Sequence, residues 1–172
     1  MIFELILKSL YFFLPAYFAN MAPILLKWIP IVNIPVNKKV FGENKTWRGI
    51  FLGTVVGGLI FWIQKLLYDV GFQKFSLIDY SDFSMLLGFL MGLGALLGDL
   101  VKSYYKRKAG INPGCPWVPF DQIDFVLGAL ILGFFVYVPP AEVALLVLIL
   151  SPFLHVIVNY IGYWLGIRES KL

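Results

Sequence analysis

Three aspartates and a group of basic residues supply the chemistry open to this chain. In the stretch from Gly98 to Arg107, Asp99, Lys102, Ser103 and Lys106 fall at i, i+3, i+4 and i+7, one face of a helix. Snorkelling of helix-end lysines explains the cations. It does not explain Asp99, which sits inside an apolar segment, where a carboxylate costs about 2.5–3.5 kcal/mol on insertion scales and marks function. Asp121 and Asp124 follow at i and i+3, so both face one way where the next apolar run begins. Helix capping accounts for Asp121 alone; Asp124 stands a turn deeper, between Ile123 and Phe125. Hard carboxylate oxygens without nearby His or Cys suit Mg²⁺, whereas the single Cys115 and single His155 make zinc a poor fit.

A second polar group precedes these. Asn44, Lys45, Thr46 and Arg48 lie between Gly42 and Gly49, glycines that would let backbone amides approach an anion. The segment reads as a phosphate clamp, although it lacks the glycine spacing of a Walker A loop. A short loop, 109–114, carries Asn112 and could fold over a ligand or serve as a turn. Clustered aspartates for Mg²⁺, with lysines and arginines for phosphates, are the equipment of phosphoryl or nucleotidyl transfer. The sequence offers no activated Ser, Cys or His nucleophile. His155 reads as a helix-interface residue, nearer the outer side, with Asn159 one turn on as its partner.

The elements that position these residues must be membrane helices. The apolar fraction is 60% and the charged fraction 14%, against about 45–50% and about 25% in soluble domains. Five apolar segments approach the length of about 20 residues that spans a bilayer: 5–31, 49–68, 84–104, 122–138 and 141–167. The expected architecture is therefore all-α, one integral domain covering 1–172. Lys38, Lys39, Lys45 and Arg48 follow the first span, Lys102, Lys106, Arg107 and Lys108 the third, and Arg168 and Lys171 the last. By the positive-inside rule these sides are cytosolic, which puts the N-terminus outside, the C-terminus in the cytosol and the acidic cluster on the cytosolic side of the cell membrane. The first segment is too long for a signal-peptide core and is expected to stay; Pro15, Pro23 and Pro30 should kink or break it. Glycines four apart, at 53 and 57, 88 and 92, and 94 and 98, predict close helix approach. Residues 69–83 form an outer loop with Asp69, Asp79 and Asp82.

The order Gly98, Asp99, Ser103, Lys106, Arg107, a Gly/Pro loop, then Asp121 and Asp124 resembles the CDP-diglyceride synthetase family. The run Gly42 to Gly49, the Pro119 to Asp124 opening of the fourth span and the chain length match its archaeal branch; Gln122 stands where bacterial and eukaryotic members carry arginine. The resemblance implies transfer of CMP from CTP to an isoprenoid ether-lipid phosphate, 2,3-bis-O-geranylgeranyl-glycerol 1-phosphate, giving CDP-archaeol and pyrophosphate. On that basis Asp99, Asp121 and Asp124 are assigned to Mg²⁺, with Lys106 also catalytic. Lys45, Arg48, Lys102, Lys106 and Arg107 are assigned to phosphates, and Asn44, Thr46, Ser103 and Asn112 to the nucleotide. The implied partners are CTP, the lipid phosphate and the bilayer, without nucleic acid; oligomeric state stays open. The alternative, a small transporter or ion channel, would place its acids near mid-membrane beside broken helices. A CDP-alcohol phosphotransferase would need a glycine after Asp124, where Phe125 stands.

Overall fold

A computed structural model describes residues 2–30, 33–112 and 115–166. Arg168 and Lys171, used above for orientation, and Pro113 and Gly114 of the 109–114 loop lie outside the described residues. Seven α-helices follow in order: α1 Ile2–Phe12, α2 Leu14–Leu25, α3 Lys38–Phe41, α4 Trp47–Asp69, α5 Leu86–Lys108, α6 Phe120–Gly133 and α7 Ala141–Trp164. Among the described residues the extended pairing is a single bridge, Pro35 to Thr46.

The expected spans correspond to helices of unequal length. Helices α4, α5 and α7 have 23, 23 and 24 residues, about 35 Å each at 1.5 Å per residue, enough for a hydrocarbon core of about 30 Å. The expected first span is a pair, α1 and α2, bent by 46°. The break falls at Phe13, and Pro15 lies at the start of α2, where a missing N–H is tolerated. Pro30 lies beyond the helix. The expected fourth span is shorter than hydropathy suggested: α6 has 14 residues and ends at Gly133, about 21 Å. Val136 and Tyr137 turn back to the Gly133 carbonyl before Pro139 and Pro140. Among the described residues three helices are thus long and apolar enough to cross a membrane, or four with the bent pair taken as one span.

Helix α5 is the centre of the bundle, packing on α2, α4 and α6, while α7 leans on α6 and α1. The expected glycine contacts are present. Gly57 packs on Gly88 and Gly92 across α4 and α5, and Gly94 and Gly98 meet Gly128 and the Asp124 carbonyl across α5 and α6. A Cβ at Gly98 would collide with that carbonyl oxygen. Phe12, Phe13, Leu87, Met91, Phe125, Val126, Val143 and Val147 fill the core. Large apolar side chains such as Ile131, Phe135, Ile149 and Phe153 point outward, as a bilayer-facing surface requires.

The end near Asp79 is sealed by aromatic rings. Tyr80, fully buried in a short 3-10 turn, packs edge-on or tilted against Tyr11, Phe61 and Tyr68 at centroid distances of 5.9, 5.3 and 6.0 Å. Lys65 Nζ donates to the Ser81 and Phe83 carbonyls at 2.9 and 3.1 Å and pins that turn to α4. The opposite end carries the lysine–aspartate cluster.

Candidate active site

Close packing of α5 on α6 brings the three aspartates together. Gly98 lets the α6 backbone approach at Asp124, so Asp99, one residue on, and Asp124 flank the same seam. Asp121 lies one turn toward the start of α6. It accepts from the Trp117 backbone N–H, a bond that draws the 115–119 segment onto the helix.

The centre of this cluster is a lysine. Lys102 Nζ lies 2.9 Å from Asp99 Oδ1, 2.9 Å from Asp121 Oδ1 and 2.8 Å from Asp124 Oδ2. Lys45 pairs with Asp99 Oδ2 from the α3–α4 connection. Lys106 Nζ donates to both Asp121 oxygens, at 3.1 and 3.0 Å, and to the Cys115 carbonyl at 2.5 Å. Three ammonium groups thus face three carboxylates, and the cluster is neutral as a whole. That balance is what a poorly solvated site demands, since an unpaired buried charge is costly; the Asp124 and Lys102 side chains are 7% and 13% exposed.

Each other expected site residue has a definite place. Backbone bonds Val36 N–H to Lys45 O and Trp47 N–H to Ile34 O, 2.8 and 3.0 Å, hold the loop that carries Lys45 over α5. Thr46 caps α4, its Oγ1 accepting from Gly49 N–H at 3.1 Å. Arg48 donates to the Lys27 and Ile29 carbonyls at 3.3 and 3.2 Å, tying the chain after α2 to the start of α4. Ser103 is buried and donates to the Asp99 carbonyl at 2.8 Å, so its hydroxyl turns onto its own helix. Asn44 and Asn112 are exposed on loops flanking the cluster, and Arg107 is half-buried. The glycines read as an anion cradle do other work. Gly42 takes φ +90° at the end of α3, and Gly49 packs against Pro23.

Thr46 makes a separable prediction. Thr46→Ala is expected to remove the cap and lower stability by about 1 kcal/mol, with Thr46→Ser restoring it, both read as melting temperatures. An unchanged melting temperature with weakened nucleotide affinity would instead make Thr46 a ligand to substrate.

His155 corrects an expectation. Its Asn159 partner is present at 3.2 Å. It does not sit toward the outer end, however: its ring stacks on Phe125, centroids 6.3 Å apart, at the level of Asp124 and on another face of α6. There it lines an apolar cavity of about 580 Å³ with Tyr17, Asn20 and Val158. A second cavity, about 640 Å³, lies between α5 and α6, lined by Leu97, Val101, Leu127 and Ile131, with Lys102 and Asp124 in its wall. Sequence reasoning missed the Trp117 amide and the Cys115 carbonyl as organisers of the cluster; backbone groups leave no signal in residue type.

By chemical type the donors, hard carboxylate oxygens, are those a cation such as Mg²⁺ takes. Three carboxylates from two helices already converge on one positive charge, the Lys102 ammonium, which stands where a metal ion would neutralise them. With that ammonium in place, no three acidic, His or Cys side chains among the described residues come close enough together to share a metal. Mg–O distances are about 2.0–2.1 Å, so these three oxygens would have to stand closer together around a metal than they do around the ammonium.

Fold and cluster together define a polytopic helical membrane protein with a charge-balanced site suited to phosphate chemistry. The comparisons make this specific. The family model for CarS-like CDP-archaeol synthase matches residues 2–172. The CDP-archaeol synthase of Pyrococcus furiosus is 36% identical, covering 92% of this chain and 93% of that protein. That of Methanocaldococcus jannaschii is 34% identical over 98% of both. A solved structure of an intramembrane enzyme for archaeal membrane lipids biosynthesis superposes with a TM-score of 0.70 at 27% identity, covering 90% of this chain and 94% of that one. The chain belongs to the CDP-archaeol synthase family, the archaeal branch to which its motifs pointed. It is a membrane-embedded enzyme of the nucleotidyltransferase class.

Proposed function

We propose that this protein transfers CMP from CTP to 2,3-bis-O-geranylgeranyl-glycerol 1-phosphate, releasing pyrophosphate and forming CDP-archaeol, at the cytosolic side of the cell membrane. The observation that carries the reading is the convergence of Asp99, Asp121 and Asp124 on a single cation position, that of Lys102 Nζ, with Lys45 and Lys106 beside it. Family membership supplies the donor and acceptor. The clustering of Lys38, Lys39, Lys45, Lys102, Lys106 and Lys108 at the end that holds the aspartates supports a cytosolic site.

In this mechanism the acceptor phosphate needs no strong base, because it is already an oxyanion. Its oxygen attacks the α-phosphorus of CTP; the new phosphoanhydride bond forms as the bond from the α-phosphorus to the bridging oxygen breaks, and pyrophosphate leaves with that electron pair. Asp99, Asp121 and Asp124 would hold Mg²⁺, which when bound supplies charge neutralisation and orientation to the phosphates. Lys45 and Lys106, already paired to the outer oxygens of Asp99 and Asp121, fix those carboxylates and add positive potential where phosphate charge gathers. Arg107 and Arg48 extend that potential outward. Lys102 Nζ and Asp124, in the wall of the α5–α6 cavity, stand where an apolar groove meets the charged cluster.

The acceptor's prenyl chains fit that groove. Val101 and Ile131, in its wall, are exposed on the bilayer-facing surface. Ile131→Trp is therefore expected to raise the KM for the lipid phosphate roughly tenfold and leave the KM for CTP unchanged, in mixed-micelle kinetics. Equal shifts for both substrates would remove the groove from the lipid site. The substrate assignment is tested by incubating purified protein with CTP, Mg²⁺ and lipid phosphates of ether and ester type. CDP-lipid formed from the ether lipid is the expected product; its absence with every lipid would return the transporter reading.

A further inference from the structure

We propose that Lys102 is a resident cation of the acidic cluster, holding the place of the divalent metal until it is displaced, so that metal binds this enzyme by exchange with a lysine. The inference rests on the metal reading above and adds what that reading lacks: what compensates the aspartates before the metal arrives.

Two observations carry it, together with the charges they imply. Lys102 Nζ is within 2.8–2.9 Å of one oxygen from each of Asp99, Asp121 and Asp124, whereas Lys45 and Lys106 each pair with one of these aspartates only. An ammonium and a divalent ion cannot both stand at the centre of the same three oxygens, because their charges repel at contact distance. The exchange also makes the site more positive: three carboxylates against three lysines are neutral, whereas three carboxylates against a divalent ion and two lysines leave one positive charge in excess, with the Lys102 charge freed besides, which suits a site that must then take in phosphates. Finally, Lys102 has somewhere to go. It forms part of the wall of the 640 Å³ cavity between α5 and α6, and a lysine reaches this space on a flexible four-carbon stem. A rigid, planar arginine at this position could not leave so readily.

The consequence is that the lysine competes with metal. Titration of full-length protein in detergent with Mn²⁺, without nucleotide or lipid and followed by the electron paramagnetic resonance of free Mn²⁺, reads this directly. Lys102→Met and Lys102→Gln are expected to bind Mn²⁺ at least about tenfold more tightly than wild type, since the competing charge is gone. Lys106→Met, which frees Asp121 alone, is expected to change the affinity by less than about threefold. Melting temperatures give a second readout: both Lys102 variants should be less stable than wild type without metal and regain stability with Mn²⁺, while wild type responds little. Equal Mn²⁺ affinity in wild type and both Lys102 variants would overturn the exchange while leaving the metal reading intact. Failure of every form to bind Mn²⁺ would overturn both. Lys102 variants that stay unfolded whatever the Mn²⁺ concentration would also overturn it, making Lys102 a purely structural partner.

Discussion

Asp124→Asn is expected to lower kcat by at least about 10²-fold while leaving the melting temperature within a few degrees of wild type. The residue is nearly enclosed, and its two oxygens meet the Phe125 N–H at 2.7 Å and Lys102 Nζ at 2.8 Å. Asparagine has the same shape and an oxygen to accept from one of those donors, so packing of α6 on α5 survives. What it lacks is the charge. Lys102 keeps Asp99 and Asp121 as partners, which is why the fold tolerates the change, but a site built on three carboxylates is left with two. Steady-state turnover and a thermal melt in detergent separate the effects. Turnover close to wild type would take Asp124 out of the catalytic set; collapse of the fold would make it a structural ion-pair partner.

Gly98→Ala is expected to be nearly as damaging for a different reason. The added methyl group meets the Asp124 carbonyl oxygen, part of the α6 backbone rather than a side chain that can swing away. Helices α5 and α6 must separate, and overpacking of this kind costs about 1–3 kcal/mol. The shift moves Asp99 relative to Asp121 and Asp124, and a displacement of about 1 Å between reacting groups can lower the rate about 10²-fold. Gly71 supplies the contrast. It takes φ +94° in the loop after α4 with nothing within 4 Å of an added Cβ, so Gly71→Ala should lose about 1–2 kcal/mol of stability through backbone strain and keep its kcat. Full activity in Gly98→Ala would show that the α5–α6 approach does not set the site.

Much of this was legible because membrane insertion makes polar residues conspicuous. Asp99 stands out in an apolar run, Asp121 and Asp124 repeat at helical spacing, and the glycines four apart announce the helix contacts that the structure contains. His155 and Asn159 read correctly as a pair one turn apart. The rest depended on tertiary register. Spacing puts Lys102 on the face of Asp99 but cannot say that Asp121 and Asp124 will close around its ammonium, since that follows from where α6 crosses α5. Thr46 and Arg48 have the chemistry of phosphate ligands, and the bonds they also make, the cap of α4 and the carbonyls after α2, arise from chain ends that hydropathy does not reveal. The short α6 was hidden because Val136 and Val138, past its end at Gly133, are as apolar as the helix itself. The depth of His155 was misjudged for a similar reason: where α7 stands against α6 is fixed by the packing of its ring on Phe125.

The most direct measurement of CMP transfer at the Asp99, Asp121 and Asp124 cluster uses CTP labelled in turn at the α- and the γ-phosphorus, with purified protein, Mg²⁺ and the isoprenoid ether-lipid phosphate. The α-label should enter the organic phase as CDP-lipid and the γ-label should stay in the aqueous phase as pyrophosphate. Asp124→Asn should slow both the transfer of α-label to lipid and the release of γ-labelled pyrophosphate by at least about 10²-fold. Entry of the γ-label into lipid, or α-label transfer undiminished in Asp124→Asn, would contradict it.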